Sequence, residues 1–478
     1  MKWTLNEIIY WTEAEWISDF EMKPESTFNE VTTDTRLNIA NSVFVALKGD
    51  QFDAHNFLDV AVKKNVGLLI VDHLPNNFSN LKSQVPILLV KNTLTALQNF
   101  AHHYRKKLKT KIIGITGSNG KTSTKEFTAK ILNQYKRTHF NQGSFNNHWG
   151  VPLTLLNMDN SHELAVIEMG MNHAMEIAEL VRISDPDYVV CTMVGLAHIE
   201  FFGTQKKIAE AKSEIYMYSK ESTVRIFNQD QDLTFDMMYP VAKKFPAGRM
   251  LTFSSINDKA DVFFKLDSSS IQGLKVSGLI GDVPGHALIP VIGDHNLVNL
   301  MAAANLAFAV GMPPNQIWTA LSLCESTWGR NQLLTGPNNT TILFDGYNAN
   351  PDSMNALLNT IQKLKFESPA VLALGQMKEL GQHSKEMHFE LGEKVANLIL
   401  DKQNIFTKIY FIGENYLDFK NGLVKNGFKN FICDQELNST MIEDFKATMA
   451  LTKTLFVKGS RGAKTERFLE CLGIKLTK

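Results

Sequence analysis

Short apolar runs alternate with stretches of helical spacing along most of this chain. In the first hundred residues the runs 43–47, 67–71 and 86–90 are almost wholly apolar, as buried strands of a small α/β unit would be. The basic stretch Tyr104-Arg-Lys-Lys-Leu-Lys-Thr-Lys111 follows, and a boundary is expected near residue 108. Strands are then expected at 112–116, 164–168, 188–194 and 224–227, with helical patterns between them. Such alternation predicts a mostly parallel sheet with helices on both faces. From about 250 to 290, alternating apolar residues among many Gly and Ser predict a small antiparallel insertion. An apolar helix over 297–310 stops at Gly311 and Pro313-Pro314. After Arg330 a second βα alternation begins, with strands expected at 341–345, 370–374, 408–412 and 454–458. The expected fold is α/β in three domains: a small α/β domain over 1–107, a mostly parallel-sheet domain over 108–326, and a Rossmann-like domain over 327–478. The last lacks a Gly-x-Gly-x-x-Gly fingerprint after its first strand, so it is not read as an NAD site.

Composition narrows the function classes. Lys plus Arg equals Asp plus Glu at 49 each, which argues against a broad nucleic-acid-binding face but not against a local pocket for a phosphorylated small molecule. Cys191, Cys324, Cys433 and Cys471 lie far apart with no C-x-x-C pair, so neither zinc nor a disulfide framework is expected. The N-terminus carries acidic residues early and has no apolar core of a signal peptide, and no window approaches the length of a membrane span. A cytoplasmic protein, not inserted in a membrane and acting as a monomer, is expected.

The segment with the most specific chemistry is Gly114-Ile-Thr-Gly-Ser-Asn-Gly-Lys-Thr-Ser123. It follows an apolar run and precedes Phe127, Ile131 and Tyr135 at helical spacing. Strand, glycine-rich turn, then Lys and Thr opening a helix is the layout that holds nucleotide phosphates. Gly117 and Gly120 let the backbone N–H groups of Ser118 and Asn119 curl toward anionic oxygens, Lys121 supplies a point charge, and the Thr122 hydroxyl suits magnesium. The usual first glycine of G-x-x-x-x-G-K-[ST] would fall at Ile115, so a variant loop is indicated. Glu168, at the carboxyl end of its strand, suits a magnesium ligand or a solvated strand end. His198 and Lys212 by themselves read as an ordinary structural histidine and a solvated helix lysine. Asn146-Asn147 suit a ligand or simply close a turn. The turn Asp345-Gly-Tyr-Asn-Ala-Asn-Pro-Asp-Ser353 places an acid and several amides before a helix opening near Pro351, Lys458-Gly-Ser-Arg461 could bind an anion, and Gly329-Arg330 could reach a phosphate from a hinge.

Together these segments resemble the Mur ligase family, the ATP-dependent amide-forming enzymes of peptidoglycan precursor synthesis. The family loop G-x-T-G-[TS]-N-G-K-T is matched by Gly114 to Thr122, and the match runs from Thr33-Asp-Thr-Arg36 and Phe44-Val-Ala-Leu-Lys-Gly49 to Lys458-Gly-Ser-Arg461. Within the family, 345–353 and Ala373-Leu-Gly-Gln-Met-Lys-Glu-Leu-Gly381 with His388 resemble the branch that adds D-alanyl-D-alanine to a UDP-N-acetylmuramoyl tripeptide. Gln376 stands where that branch usually has aspartate. Gly293-Asp-His-Asn296 with Asn299 and Ala302–Ala304 resembles the family's nucleotide-contact helix. The resemblance implies that Asp34, Thr35, Arg36, Lys48, Asn146 and Asn147 hold the UDP-sugar peptide. It implies that Gly117, Ser118, Asn119, Gly120, Lys121, Thr122 and Ser123, with Asn296 and Arg330, hold ATP. Two magnesium ions would be held by Thr122, Glu168, His198 and Lys212, the last as a CO2 adduct. Lys121, Lys212, His198 and Arg330 would be catalytic, and Asp345, Tyr347, Asn348, Asn350, Lys458 and Ser460 would take the dipeptide. Another Mur ligase, a folylpolyglutamate synthetase and a non-catalytic nucleotide switch are the competing readings.

Overall fold

The computed structural model describes residues 3–49, 52–402 and 405–476. The chain separates into two compact units, one of residues 1–115, 136–189 and 214–223, the other of 116–135, 190–213 and 224–478.

In the first unit a five-stranded sheet has the order Glu15–Trp16, Ile87–Leu89, Leu68–Val71, Val43–Val45, Val31–Thr32. It is parallel except at the Glu15–Trp16 edge. The expected runs at 43–47, 67–71 and 86–90 are all strands, each shorter than the apolar pattern. All four residues of Leu68–Val71 are buried, which is why they read as an unbroken apolar run rather than an alternating one. Phe44, Leu58, Leu69, Val71 and Ile87 pack into one core. The helix Thr93–Lys107 starts where Asn92 accepts the Thr95 N–H at 2.9 Å. Beyond it, Thr138–Phe140, Leu164–Glu168 and the strand beginning at Lys111 are parallel neighbours, with Glu168 opposite Ile115.

One partly buried carboxylate ties the base of this arrangement together. Asp187 accepts the Ile112 N–H at 2.9 Å and lies 3.0 Å from Lys111 Nζ, 3.3 Å from Lys220 Nζ and 3.3 Å from Arg105 Nη2. Arg105, itself buried, also donates to the Ser184 and Leu108 carbonyls. The basic stretch before residue 111 is therefore partly internal, and it sets where the strand into the glycine loop begins.

In the second unit Val224–Asn228, Met250–Ser254 and Val262–Ser270 run parallel, and Gly273–Ile280 and Val283–Ile289 complete an antiparallel meander. The antiparallel insertion is thus smaller than the expected 250–290: Met250–Ser254 belongs to the parallel part, buried at four of its five residues. The strand expected at 188–194 ends at Cys191. The backbone beyond it bonds elsewhere: Met193 O accepts from Ser118 N, Val194 N donates to Gln231 Oε1, and Leu196 N donates to Asp352 Oδ2. The helix after the glycine loop spans Lys121–Leu132, so Tyr135 lies beyond it and is partly exposed, although its spacing had placed it on the helix.

The C-terminal stretch forms a six-stranded sheet ordered Gln332–Thr335, Thr341–Asp345, Thr454–Lys458, Ala370–Gly375, Phe406–Ile412, Phe431–Asp434. Only the first edge pair is antiparallel. Parallel strands place all their carboxyl ends at one edge, and in open α/β sheets that edge is where ligands bind. Asp345, Lys458 and Gly375 end three adjacent strands there. Phe344, Val371, Tyr410, Phe445, Val457 and Phe468 form the core beneath.

Burial by itself would raise the Asp187 carboxyl, but the Ile112 N–H and the Lys111 and Lys220 ammonium groups hold it below its ordinary value of 3.8. A depressed carboxylate stabilises the fold above 3.8 and loses that contribution as pH falls through the lowered value. Asp187→Asn should cost about 3 kcal/mol at pH 7 in urea unfolding, because Arg105 is left buried without its counter-charge. The gap from the parent should narrow as pH drops below 3.8, and a gap independent of pH would contradict the assignment.

Candidate active site

The phosphate loop lies between the strand Lys111–Thr116 and the helix Lys121–Leu132. Gly117 has φ +149° and Gly120 φ +82°, conformations that favour glycine. Space enforces the same choice, since a Cβ on Gly117 would collide with Thr192 Oγ1 and one on Gly120 with Asn299 Oδ1. Thr192 Oγ1 donates to Asn119 O at 2.6 Å, and Ser118 N donates to Met193 O at 2.8 Å. Lys121 Nζ donates to Gly117 O at 2.7 Å. Asn296 accepts from Asn299 Nδ2 at 2.9 Å and donates to Ile292 O at 2.9 Å, so the amide at the start of the helix Asn296–Val310 is fixed against the loop-facing Asn299. Arg330 Nη2 donates to Thr122 Oγ1 at 3.0 Å, and its guanidinium stacks 4.1 Å over the Tyr347 ring. Its Nε is buried with no hydrogen-bond partner.

Glu168 is almost fully buried at the end of its strand. Its Oε1 accepts from Asn146 Nδ2 at 2.7 Å, and Asn141 pairs with its backbone at 2.9 and 3.2 Å. Its Oε2 has no hydrogen-bond partner, an expensive state for a buried carboxylate oxygen and one that a cation relieves. Asn147 accepts the Gly150 N–H at 2.9 Å and closes its turn. Asn146 and Asn147 therefore make different contacts, one on Glu168 and one on its own loop.

Lys212 lies on the helix Gln205–Met217 and is 1% exposed. The reading of a solvated helix lysine is thus corrected: this face of the helix is inside. His198 takes φ +68°, and its Nδ1 is 2.8 Å from Glu379 Oε2. The ring N–H is not aligned with that oxygen, so Nδ1 makes no well-formed hydrogen bond. Burial lowers the His198 pKa and outweighs the opposing pull of Glu379, while His198 in turn lowers the Glu379 carboxyl.

At the carboxyl edge of the C-terminal sheet, Lys458 and Asp345 are register partners on adjacent parallel strands and form an ion pair in which Lys458 is buried and Asp345 partly buried. Lys458 Nζ also donates to Asn348 O at 3.2 Å. The Ser460 hydroxyl is buried and has no hydrogen-bond partner. Tyr347 N donates to Gly329 O at 3.1 Å. The helix expected near Pro351 spans Pro351–Lys363 with Asn350 as its N-cap, in a capping box with Ser353. Asn350 also exchanges two amide hydrogen bonds with Asn119 of the phosphate loop, at 2.8 and 3.3 Å. At the position where aspartate was expected, Gln376 accepts the Glu414 N–H at 2.7 Å and holds the next turn. His388 is buried and accepts the Met377 N–H at 3.0 Å, a structural task.

The first-unit candidates are more scattered. A cavity of about 760 Å³ is lined by Asp34, Thr35 and Arg36 together with Phe52, Phe57 and Trp149. Asp34 and Arg36 pair at 2.7 Å, and Lys64 Nζ holds Thr35 O at 2.7 Å. Lys48 is not among the lining residues, and its ammonium lies 3.9 Å from Asp53.

Residues 115–307 match the Mur ligase middle domain and residues 329–429 match the Mur ligase, glutamate ligase domain. A Bacillus subtilis (strain 168) protein, UDP-N-acetylmuramoyl-tripeptide–D-alanyl-D-alanine ligase, is 32% identical over 450 residues, covering 94% of each chain. The chain belongs to the Mur ligase family. Among solved structures, MurF from Acinetobacter baumannii superposes on this Mur ligase with a TM-score of 0.85 at 27% identity, covering 99% of both chains. MurF ligase from Thermotoga maritima, in complex with ADP, superposes with a TM-score of 0.77 at 25% identity, over 93% of this chain and 97% of that one.

Three features of this ligase were not marked by sequence reasoning. Glu379 carried no signal beyond its place inside 373–381. Asp352 was grouped with its turn, yet its carboxylate accepts the Leu196 N–H at 2.7 Å. The Asp345–Lys458 pair joins two sites that had been read separately. Removing one partner of such a pair strands the other charge. Lys458→Met should therefore cost about 3 kcal/mol in urea unfolding, and the double change with Asp345→Asn should recover part of the loss. Strict additivity would contradict the pairing.

Proposed function

We propose that this Mur ligase joins D-alanyl-D-alanine to a UDP-N-acetylmuramoyl tripeptide at the expense of ATP, through an acyl phosphate. The observation that carries the reading is the amide pair Asn119–Asn350, by which the phosphate loop meets the turn that distinguishes the dipeptide-adding branch. A free carboxylate is a poor electrophile; transfer of the γ-phosphoryl group to the tripeptide's terminal carboxylate makes a leaving group of it. The dipeptide amine then attacks, and ADP and phosphate leave.

In this reading Gly117 through Ser123 cradle the ATP phosphates, Lys121 offsets their charge, and Asn296 and Arg330 contact the nucleotide. Thr122, Glu168, His198 and Lys212, the last as a CO2 adduct, are the residues we assign to two magnesium ions, and the partnerless Glu168 Oε2 fits such a ligand. Bound magnesium neutralises phosphate charge and polarises the transferring phosphoryl group. Asp34, Thr35, Arg36, Lys48, Asn146 and Asn147 are assigned to the UDP-sugar peptide; the cavity supports this for Asp34, Thr35 and Arg36, which line it. Asp345, Tyr347, Asn348, Asn350, Lys458 and Ser460 are assigned to the dipeptide, supported by the carboxyl-edge crevice and the partnerless Ser460 hydroxyl. Domains of 1–107, 108–326 and 327–478 would bring three substrates together and exclude water from the acyl phosphate. No helix among the described residues is long and apolar enough to cross a membrane; a cytoplasmic location and a monomeric state are part of the proposed reading.

The test supplies purified protein with ATP, magnesium, D-alanyl-D-alanine and UDP-muramoyl tripeptides differing in their third residue, following pentapeptide by mass and phosphate by release. Phosphate release should require both acceptors. ATP hydrolysis indifferent to the UDP-sugar peptide would favour a nucleotide switch, and product formed with single amino acids would favour another branch of the family. Lys121→Ala should lower product formation by roughly a thousandfold, the scale of losing a charge aimed at the transition state. Lys212→Ala should be inactive and partly restored by a small carboxylate in the buffer; full unassisted turnover would contradict the adduct.

A further inference from the structure

Two carboxylates of the glutamate-ligase-domain stretch grip the segment that carries His198, and neither has a task in the reading above. Asp352 lies in the first turn of Pro351–Lys363, where the capping box and Pro351 fix the helix start and aim its side chain. Its Oδ2 accepts the Leu196 N–H at 2.7 Å and sits so close to Gly195 that any Cβ there would collide with it. Two residues on, His198 adopts φ +68°. The residue facing it, Glu379, adopts φ +63°. Left-handed backbone is uncommon outside glycine and persists where surrounding contacts hold it. Here they do: Glu200 N donates to Glu379 O at 3.4 Å, and Glu379 Oε2 stands 2.8 Å from His198 Nδ1. Gly381 packs against Glu200, so the chain approaches on both sides of Glu379.

We infer that Glu379 and Asp352 are positioning residues for His198, Asp352 fixing the backbone at Leu196 and Glu379 fixing the imidazole with its proton on Nδ1. A carboxylate on one ring nitrogen selects the tautomer whose lone pair is on the other and orients that nitrogen toward a metal. Nε2 is then the donor atom of His198. This rests on the assignment of His198 to magnesium. It adds that the ligand is aimed by the part of the chain assigned to the dipeptide rather than by the middle domain alone.

The experiment uses the full chain labelled with ¹⁵N-histidine, without nucleotide, so that long-range ¹⁵N–¹H spectra report the His198 tautomer; His198→Ala assigns the signals. The parent should show the Nδ1–H form. Glu379→Ala should shift His198 toward a mixture of tautomers, and Glu379→Gln, whose amide oxygen can still accept, should keep most of the parental signal. Manganese(II) binding in the presence of ADP, followed by electron paramagnetic resonance, should weaken roughly tenfold or more in Glu379→Ala. Asp352→Ala should weaken it in the same direction. In turnover the loss should fall on kcat, with KM for the dipeptide little changed. An unchanged His198 spectrum in Glu379→Ala overturns the positioning role whatever the metal does. A changed spectrum with manganese binding untouched in both Glu379→Ala and His198→Ala overturns instead the assignment of His198 as a ligand.

Discussion

A loop of backbone N–H groups can hold a polyphosphate only if no side chain fills its interior, and much of the second unit is arranged around that requirement. The glycines at 117 and 120 do more than permit unusual dihedrals. Thr192 occupies the space beside one of them and Asn299 the space beside the other, so the loop is clamped by the end of one strand and by the helix that begins at Asn296. From there the dependence runs outward. Arg330 bonds Thr122 and stacks on Tyr347, and Asn350 pairs with Asn119. The turn at 345–353 is thereby attached to the glycine loop by hydrogen bonds and by the stacking of Arg330 on Tyr347.

The carboxyl edge of the C-terminal sheet obeys a different constraint. Parallel strands deliver Asp345 and Lys458 to the same level, where burial makes each charge costly without the other. The neighbouring Ser460 hydroxyl is buried without a partner, and such a group is tolerated where a ligand supplies what the protein does not. The first unit treats the Glu168 carboxylate differently, giving one oxygen a single amide donor, Asn146 Nδ2, and leaving the other unbonded.

Much of this was readable beforehand. Strand positions were legible because parallel strands buried on both faces are written as short unbroken apolar runs, as at Leu68–Val71 and Ala370–Gly375. The misreadings share a cause. The run expected at 188–194 ends at Cys191, and the Val194 N–H is taken by the side chain of Gln231, 37 positions away. Lys212 has the sequence surroundings of a surface helix and is inside. Tyr135 keeps helical spacing after the helix has ended.

The sequence alone determined what is local: the glycine loop, the helix start near Pro351, the strands, and the family to which their order points. Those features depend on neighbours within a few residues, where backbone sterics and capping act. Only the tertiary structure decided which carboxylate faces His198, which lysine is buried, and that Asp345 and Lys458 are one pair. Each of those facts depends on two segments far apart in the chain meeting at a few ångströms, and no short-range pattern encodes such a meeting.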